Sequence, residues 1–247
     1  MDVSWEDAGW ERLTGRTGRL RLPVWDCTAG LVVGDDAVLL IDPGSSLPEG
    51  SRLRVAAEHM TGRRVTHLAF THGHFDHVLG SSAFPEAEVY GAVGLDALLT
   101  ADRDELREDA VRQGLARAEA AEAAERMVVP RHLVSGEWTL ELGGVQVLLA
   151  NVGPGHSGHD LAVCVPGERE VVFCGDLVEE SGEPQAGPDA MPERWPEAVD
   201  RLLSLGGDDA LYVPGHGAVV DAAFVRAQRD TLAQRYGVSR ARGRGAS

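Results

Sequence analysis

The sequence of 247 residues contains no lysine, so each of its 23 basic residues is an arginine. This absence excludes any mechanism that proceeds through a lysine Schiff base. No apolar run approaches the roughly 18 residues that a membrane span requires. The acidic start Met1–Glu6 also lacks the basic and apolar regions of a signal peptide. We therefore expect a cytoplasmic protein that does not enter a membrane.

Cysteines are few: the sequence has three, at Cys27, Cys164 and Cys174. Their number is odd, and their spacings match no zinc ribbon. Each cysteine lies in an apolar stretch, where a free thiol behaves as a small hydrophobic side chain. The sequence therefore favours three buried, unpaired cysteines over a disulfide framework.

Positive charge is also scarce, because 39 acidic residues against 23 basic ones give a net charge of −16. A field of this sign repels phosphate backbones and anionic membrane surfaces. We therefore expect a small-molecule substrate and no nucleic-acid or membrane partner, with a homodimer as an alternative to a monomer.

The length and the apolar fraction of 43% allow one large core. No low-complexity linker divides the chain, so we expect a single domain over residues 1–238. The arginine- and glycine-rich segment 239–247 is predicted to be a disordered tail.

The apolar pattern predicts an α/β protein, with strands in sheets and helices outside them. Glycine and proline punctuation sets the boundaries of these elements. Strands are predicted at 19–25, 30–34, 37–41, 65–70, 138–142, 145–150, 161–165, 171–174 and 210–213. Helices are predicted at 53–60, 92–126, 192–205 and 221–236.

The strongest chemical signal is the segment Thr71-His72-Gly73-His74-Phe75-Asp76-His77, which directly follows the predicted strand 65–70. Alternate side chains of an extended segment share a face, so His72 and His74 can bind one ion. Asp76 and His77 add two further ligands. Imidazole and carboxylate groups suit zinc and other first-row metals.

Three more predicted strands run into a candidate ligand. His156 follows Gly153-Pro154-Gly155, Asp176 follows Gly175, and His216 follows Pro214-Gly215. The glycines permit sharp turns at the strand ends, which is where α/β folds place their ligands. Together these positions predict a metal centre at one edge of the sheets.

This ordered set of motifs resembles that of the metallo-β-lactamase-fold hydrolases, and the likeness extends from about Val32 to Val219. The resemblance implies a four-layer αβ/βα sandwich with a helical insertion around 92–126. It implies two metal ions, which we expect to be zinc, with iron or manganese as alternatives. One set of ligands would be His72, His74 and His156. The other would be Asp76, His77 and His216, with Asp176 bridging both ions.

The aspartate at 176 indicates which branch of the family the sequence resembles, because clinical β-lactamases of this fold generally have cysteine or serine nearby instead. Asp176 therefore favours the dinuclear branch similar to glyoxalase II, lactonases and thioesterases. Acyl-homoserine lactonases carry a tyrosine three residues after this aspartate, whereas this sequence has Glu179. Insertions like 92–126 often cover the active site in this family, so we expect a substrate lid or a dimer element.

The resemblance implies a hydrolase that cleaves an ester, thioester or lactone bond with a metal-bridging hydroxide. Asp76 is the expected catalytic residue, which would orient the hydroxide or pass a proton to the leaving group. Three alternatives remain open at this point. They are a mononuclear iron enzyme similar to persulfide dioxygenases, a phosphodiesterase, and a non-catalytic module of the same fold.

Overall fold

Two β-sheets lie face to face, and helices cover the outer face of each sheet. The computed structural model describes Trp5 and residues 8–237. The strands are β1 (Glu11–Arg12), β2 (Thr17–Arg21), β3 (Thr28–Val33), β4 (Val38–Ile41), β5 (His67–Ala69), β6 (Glu88–Ala92), β7 (His132–Val134), β8 (Glu137–Glu141), β9 (Gln146–Asn151), β10 (Leu161–Val165), β11 (Val171–Glu179) and β12 (Leu211–His216). The helices are α1 (Leu47–Thr61), α2 (Phe75–Val78), α3 (Leu95–Ala101), α4 (Arg103–Arg112), α5 (Arg117–Arg126), α6 (Trp195–Gly206) and α7 (Ala222–Arg235), with a 3-10 helix at Leu79–Ala83.

The first sheet has the strand order β1-β2-β3-β4-β5-β6-β7, and the second has the order β12-β11-β10-β9-β8. Strands β4 to β7 are parallel to one another, as are β11 and β12, and the other neighbours are antiparallel. Parallel strands end at the same sheet edge, so the segments that follow β4 and β5 lie close together.

Alternating side chains along the strands build the layers. In β4, Val38 and Leu40 pack with the cluster under the helices of the first sheet, while Leu39 and Ile41 face the second sheet. This period of two is the one expected for a strand covered on both faces. A third cluster joins the second sheet to α6 and α7. The expected four-layer α/β sandwich is thus observed.

Several predicted boundaries are wrong. Helix α1 begins at Leu47 and not at residue 53, because Ser46 caps it: its side chain accepts a hydrogen bond from the Glu49 backbone N–H. Strand β11 continues past residue 174 to Glu179, so Asp176 lies inside a strand. Strands β6 and β7 were not predicted, since both are short and lie beside the helical segment.

The predicted helical segment 92–126 is three helices and not one. Ala92 ends β6, Asp102 separates α3 from α4, and residues 113–116 separate α4 from α5. Gly114 has a φ of 111°, a conformation that a continuous helix does not permit. The three cysteines are buried and unpaired, as the sequence predicted.

In the described part of the chain, no helix is long and apolar enough to cross a membrane. The predicted disordered tail 239–247 lies outside the described residues.

Two close backbone contacts hold the 3-10 helix against α1 and the turn after β4. A Cβ atom at Gly50 would lie 2.1 Å from the carbonyl oxygen of Gly80, and one at Gly80 would lie 2.0 Å from that of Pro43. The Gly80 N–H also donates to the Gly44 carbonyl at 2.7 Å. Glycine at these positions therefore fixes where the histidine-rich segment meets the first sheet.

We predict that Gly50→Ala lowers the free energy of unfolding by about 1–3 kcal/mol because of overpacking. Helix propensity alone would give the opposite sign, because alanine normally stabilises a helix relative to glycine by about 1 kcal/mol. A loss of stability would therefore report the close packing at Gly50. Urea denaturation measures the change. Gly136→Ala is the matched control, because a Cβ at Gly136 meets nothing within 4 Å. A stabilised Gly50→Ala variant would contradict the packing described here.

Candidate metal centre

The first sheet contributes four of the predicted ligands. The chain leaves β5 in an extended conformation that carries His72 and His74, and His74 is the N-cap of α2. Asp76 and His77 follow within this short helix. The change from extended chain to helix turns successive side chains toward one point at the carboxyl edge of the parallel strands.

The second sheet contributes the other three. His156 lies in the loop after β9, and His216 is the last residue of β12. Asp176 follows Gly175, whose φ of 54° accompanies a register shift between β11 and β12. This bulge is built around glycine because the left-handed conformation is unstrained there.

The Asp176 carboxylate lies at the centre of the cluster, and imidazole nitrogens surround it. Its Oδ2 is 3.4 Å from Nε2 of His156, 3.4 Å from Nε2 of His216 and 3.7 Å from Nε2 of His72. Its Oδ1 is 3.2 Å from Nε2 of His77. One carboxylate therefore faces histidines from both sheets.

The structure brings all seven predicted residues to one place, in overlapping groups whose ligand atoms lie within 4.8 Å of one another. One group is the predicted set of His72, His74 and His156, together with Asp176. The remaining groups are His77 with Asp176 and His216, and Asp76 with His77 and Cys27. Asp76 Oδ2 also lies 3.4 Å from His216 Nε2.

Cys27 was not predicted at this site. Its Sγ atom is 3.6 Å from Nδ1 of His77, and the residue is 1% exposed. Burial raises the pKa of this thiol far above its usual value, so it remains protonated and apolar in character. No local spacing relates Cys27 to the histidines, so the sequence carried no signal for this contact.

The donor atoms fit a metal ion, because several of them are buried without a hydrogen-bond partner. Nε2 of His72 and Oδ1 of Asp176 are two such atoms. Nε2 of His77 lies 3.2 Å from Asp176 Oδ1, but the two atoms do not have the geometry of a hydrogen bond. Nε2 of His156 and Nδ1 of His74 face each other at 3.0 Å. Buried polar atoms left unpaired cost free energy, and a shared cation would satisfy them.

The pKa shifts of two histidines suit metal binding. Burial lowers the pKa of His72 well below its usual value and lowers the pKa of His156 to about 4. Both rings are therefore neutral at neutral pH and keep a lone pair available to a metal ion.

At His216 and Asp176, burial and the neighbouring charges shift the pKa in opposite directions. Burial opposes charge on His216, but Asp176 outweighs it and raises the pKa of His216 to about 9. Burial likewise opposes charge on Asp176, but His77, whose own pKa is raised well above its usual value, holds the pKa of this carboxyl well below its usual range. A cation bound here would replace the imidazole protons, because metal binding and proton release are coupled.

Asp42 orients the His77 ring from the side that faces away from Asp176. This role was not predicted from the sequence. Its buried carboxylate accepts hydrogen bonds from the Thr71 backbone N–H at 2.8 Å and from Thr71 Oγ1 at 2.6 Å. His77 Nδ1 lies 2.9 Å from the same carboxylate, which leaves Nε2 free to face Asp176. The motif Asp42-Pro43-Gly44 after a buried strand was the available signal, and its composition is that of an ordinary turn.

Two further histidines are oriented by contacts to their outer nitrogen, the ring nitrogen that points away from the metal centre. His216 Nδ1 is 2.7 Å from the Trp25 carbonyl oxygen, and His74 Nε2 is 3.2 Å from the carboxylate of Asp189. Acceptors at these positions place the ring proton on the outer nitrogen and the lone pair on the inner one. Asp189 belongs to the loop between β11 and α6, far from His74 in sequence, so spacing could not reveal it.

A cavity of about 750 Å³ opens over the cluster. Helices α3 and α4 form one wall, so part of the predicted insertion borders the cavity over the metal centre. The loop after β11 forms another wall with residues 181–189. The metal-centre residues that line the cavity are His74, Asp76, His156, Asp176 and His216.

A family model described as the metallo-beta-lactamase superfamily matches residues 22–216, a range that contains all seven clustered residues. The chain belongs to this superfamily. Its members are generally metallohydrolases, and the clustered donors provide the means to bind metal.

Two curated relatives agree with this assignment. Metallo-beta-lactamase domain-containing protein 1 of Xenopus laevis is 31% identical over 157 residues, which cover 62% of this chain and 54% of that protein. Metallo-beta-lactamase type 2 of Bacillus cereus is 26% identical over 172 residues, which cover 69% of this chain and 59% of that protein. The chain thus spans little more than half the length of either relative.

Two solved structures show the same fold. A metallo-beta-lactamase from Pontibacter korlensis has a TM-score of 0.72 and 18% identity, and the match covers 90% of this chain and 97% of that one. The enzyme TMB-1 has a TM-score of 0.69 and 18% identity, with coverage of 92% and 97%. The superfamily prediction is therefore confirmed, while the glyoxalase II-like or lactonase-like branch stays a prediction.

We predict that Asp189→Asn weakens metal binding about 10- to 100-fold, the usual effect of losing a carboxylate behind a histidine ligand. A competition titration against a chelating dye measures the metal affinity. Asp209→Asn is the matched control, because it removes the same charge from an exposed position away from the cavity. Unchanged affinity in Asp189→Asn would show that the Asp189–His74 contact does not act on a ligand.

Proposed function

We propose that the chain is a dinuclear metal-dependent hydrolase that cleaves an ester, thioester or lactone bond. The observation that carries this proposal is the position of Asp176, whose two carboxylate oxygens face histidines from both sheets. A carboxylate in this position can bridge two divalent ions, and superfamily membership supports the hydrolytic reaction class.

The proposed ligands divide into two sets that share Asp176. His72, His74 and His156 would hold one ion, and Asp76, His77 and His216 would hold the other. Imidazole-rich sets with carboxylates favour zinc among the available divalent metals. Two bound ions would supply Lewis acidity that lowers the pKa of a coordinated water and polarises the acyl oxygen of the substrate.

The chain's own residues would position the reactants and move the proton. Asp76 is 8% exposed and lies at the boundary between the metal centre and the cavity. From there its carboxylate would orient the attacking water, accept the proton that this water loses and pass it to the leaving oxygen or sulfur. The walls formed by α3, α4 and the loop after β11 would hold the acyl and leaving groups and exclude bulk water.

Acyl ester chemistry is preferred over β-lactam hydrolysis because of the residue at position 176. The clinical β-lactamases that this fold resembles generally carry cysteine or serine near this position. An aspartate there would supply two carboxylate oxygens to the residues that hold the metal ions, where a cysteine or serine would supply one donor atom. The related β-lactamase from Bacillus cereus therefore supports the reaction class more than the substrate.

Metal analysis tests the proposal first. Full-length protein purified without chelator or a histidine tag is expected to contain about two zinc ions per chain, as a two-metal site requires. Removal of the metal should abolish hydrolysis of a panel of thioesters, esters and lactones, and zinc should restore it. About one iron per chain would instead contradict the dinuclear hydrolase and favour the oxygenase alternative.

We predict that Asp76→Asn lowers kcat/KM by about 10²- to 10⁴-fold on whichever ester the panel identifies, because the proton-transfer group is lost. Circular dichroism should remain unchanged, since the substitution preserves size and shape. Glu119→Gln, on an exposed face of α5 outside the cavity, is the control and should retain activity. Full activity in zinc-loaded Asp76→Asn would remove Asp76 from the mechanism.

A further inference from the structure

We propose that the cavity selects substrates that carry a positively charged amine beside the scissile ester or thioester bond, and that it discriminates against substrates with a carboxylate there. This inference rests on the proposed hydrolase function and names the substrate class of the same site. It follows from the aromatic and acidic groups that line the cavity beside the metal centre.

An aromatic pair stands at one side of the cavity. Trp25 and Phe75 both line it, and their rings meet edge to face with centroids 5.2 Å apart. Leu98, Leu99 and Leu106 continue this surface along α3 and α4. Aromatic faces attract ammonium groups through their quadrupoles, and the leucines offer an apolar surface to the rest of the molecule.

Carboxylates stand beside this apolar surface. Asp102, Glu105 and Asp109 are spaced by three and four residues, so they project from one face of the helical wall, and all three line the cavity. Glu183 and Asp189 line it from the loop after β11, where Glu183 lies 3.8 Å from Arg235 and Asp189 lies 3.2 Å from His74. Two separate segments of the lining therefore carry negative side chains.

Outside the metal centre, compensating positive charge is scarce in this lining. Among the described residues that line the cavity, Arg112 is the one arginine, and it lies 2.7 Å from Glu105 and 3.1 Å from Asp109. Two carboxylates therefore share one guanidinium. The sequence contains no lysine that could supply another positive charge.

Asp102 differs from the other carboxylates of the lining in the contacts of its side chain. It occupies the N-cap position of α4, yet its side chain makes no capping hydrogen bond there. No ion pair or side-chain hydrogen bond joins it to another described residue. Asp102 is exposed, so its carboxylate can meet a ligand in the cavity without breaking a contact of the fold.

The wall carboxylates do not form a third metal site. The groups of three or more potential metal ligands within 4.8 Å, over the described residues, all belong to the cluster around Asp176 and His77. Carboxylates spread along two walls suit a larger, diffuse cation such as an alkylammonium group. The aromatic pair favours the same kind of ligand.

The test compares three thioesters that share an acetyl group and differ in the charge of the leaving thiol. They are acetylthiocholine, its uncharged carbon analogue S-(3,3-dimethylbutyl) thioacetate, and the S-acetyl ester of 3-mercaptopropionate. The zinc-loaded full chain is expected to show the highest kcat/KM for the cation and the lowest for the carboxylate. The preference should shrink as salt screens the exposed charges.

The deciding quantity is how the ratio of kcat/KM for the cation to that for the neutral analogue changes with mutation. The ammonium group also makes the thiol a better leaving group, and comparing variants cancels this intrinsic effect. Asp102→Asn should lower the ratio roughly threefold, the effect of one unit charge on another about 7 Å away across water. Asp102→Asn combined with Glu105→Gln should lower it by about tenfold.

Asp104→Asn is the matched control, because it removes a charge from the same helix outside the cavity. It should leave the ratio unchanged. An equal ratio in wild type and in the double variant would overturn the inference, provided that circular dichroism shows both proteins folded.

A binding measurement separates this inference from the proposed function. Calorimetric titration with benzyltrimethylammonium should show binding that weakens in the double variant, whether or not any thioester is hydrolysed. Binding without hydrolysis of any thioester, ester or lactone in the panel would reject the proposed function and keep the cation preference. Hydrolysis of all three thioesters with no ammonium binding would keep the proposed function and reject the cation preference.

Discussion

Seven histidine and aspartate side chains are held together where the edges of the two sheets meet, and removing their charged forms from water opposes folding. The surrounding structure is arranged to offset this cost. Asp42, Asp189 and the Trp25 carbonyl each bond to the outer nitrogen of a histidine, which fixes the direction of the inner lone pair. Glycine at positions 50, 80 and 175 lets the backbone approach closely enough to bring these groups together.

The ligands themselves could be predicted because their signals are local. His72, His74, Asp76 and His77 are adjacent in sequence, and the other three follow glycines at or near strand ends. Their supporting residues could not be predicted, since the contacts join distant segments: Asp42 and His77 are 35 residues apart, and Asp189 and His74 are 115 apart. Only the folded sheet edge brings such pairs into contact.

The layers of the fold were predictable for a similar reason, because a continuous apolar run such as that of β10 indicates a strand covered on both faces. Strands β6 and β7 were missed, since Glu88 and Gly91 interrupt the apolar run of β6 and β7 has three residues. The breaks within residues 92–126 were missed because alanine-rich sequence favours helix throughout, and tertiary packing decides where each helix ends.

The two sheets share the cluster, with four of its residues after β5 and three from the second sheet. An ion bound to both sets would add a crosslink between layers that also meet through apolar side chains and through hydrogen bonds such as Leu161–Thr71 and Arg19–Gly217. Sliding or parting of the layers would then require breaking coordination bonds. A bound ion would thus slow the separation of the two halves of the molecule, in addition to its part in the chemistry.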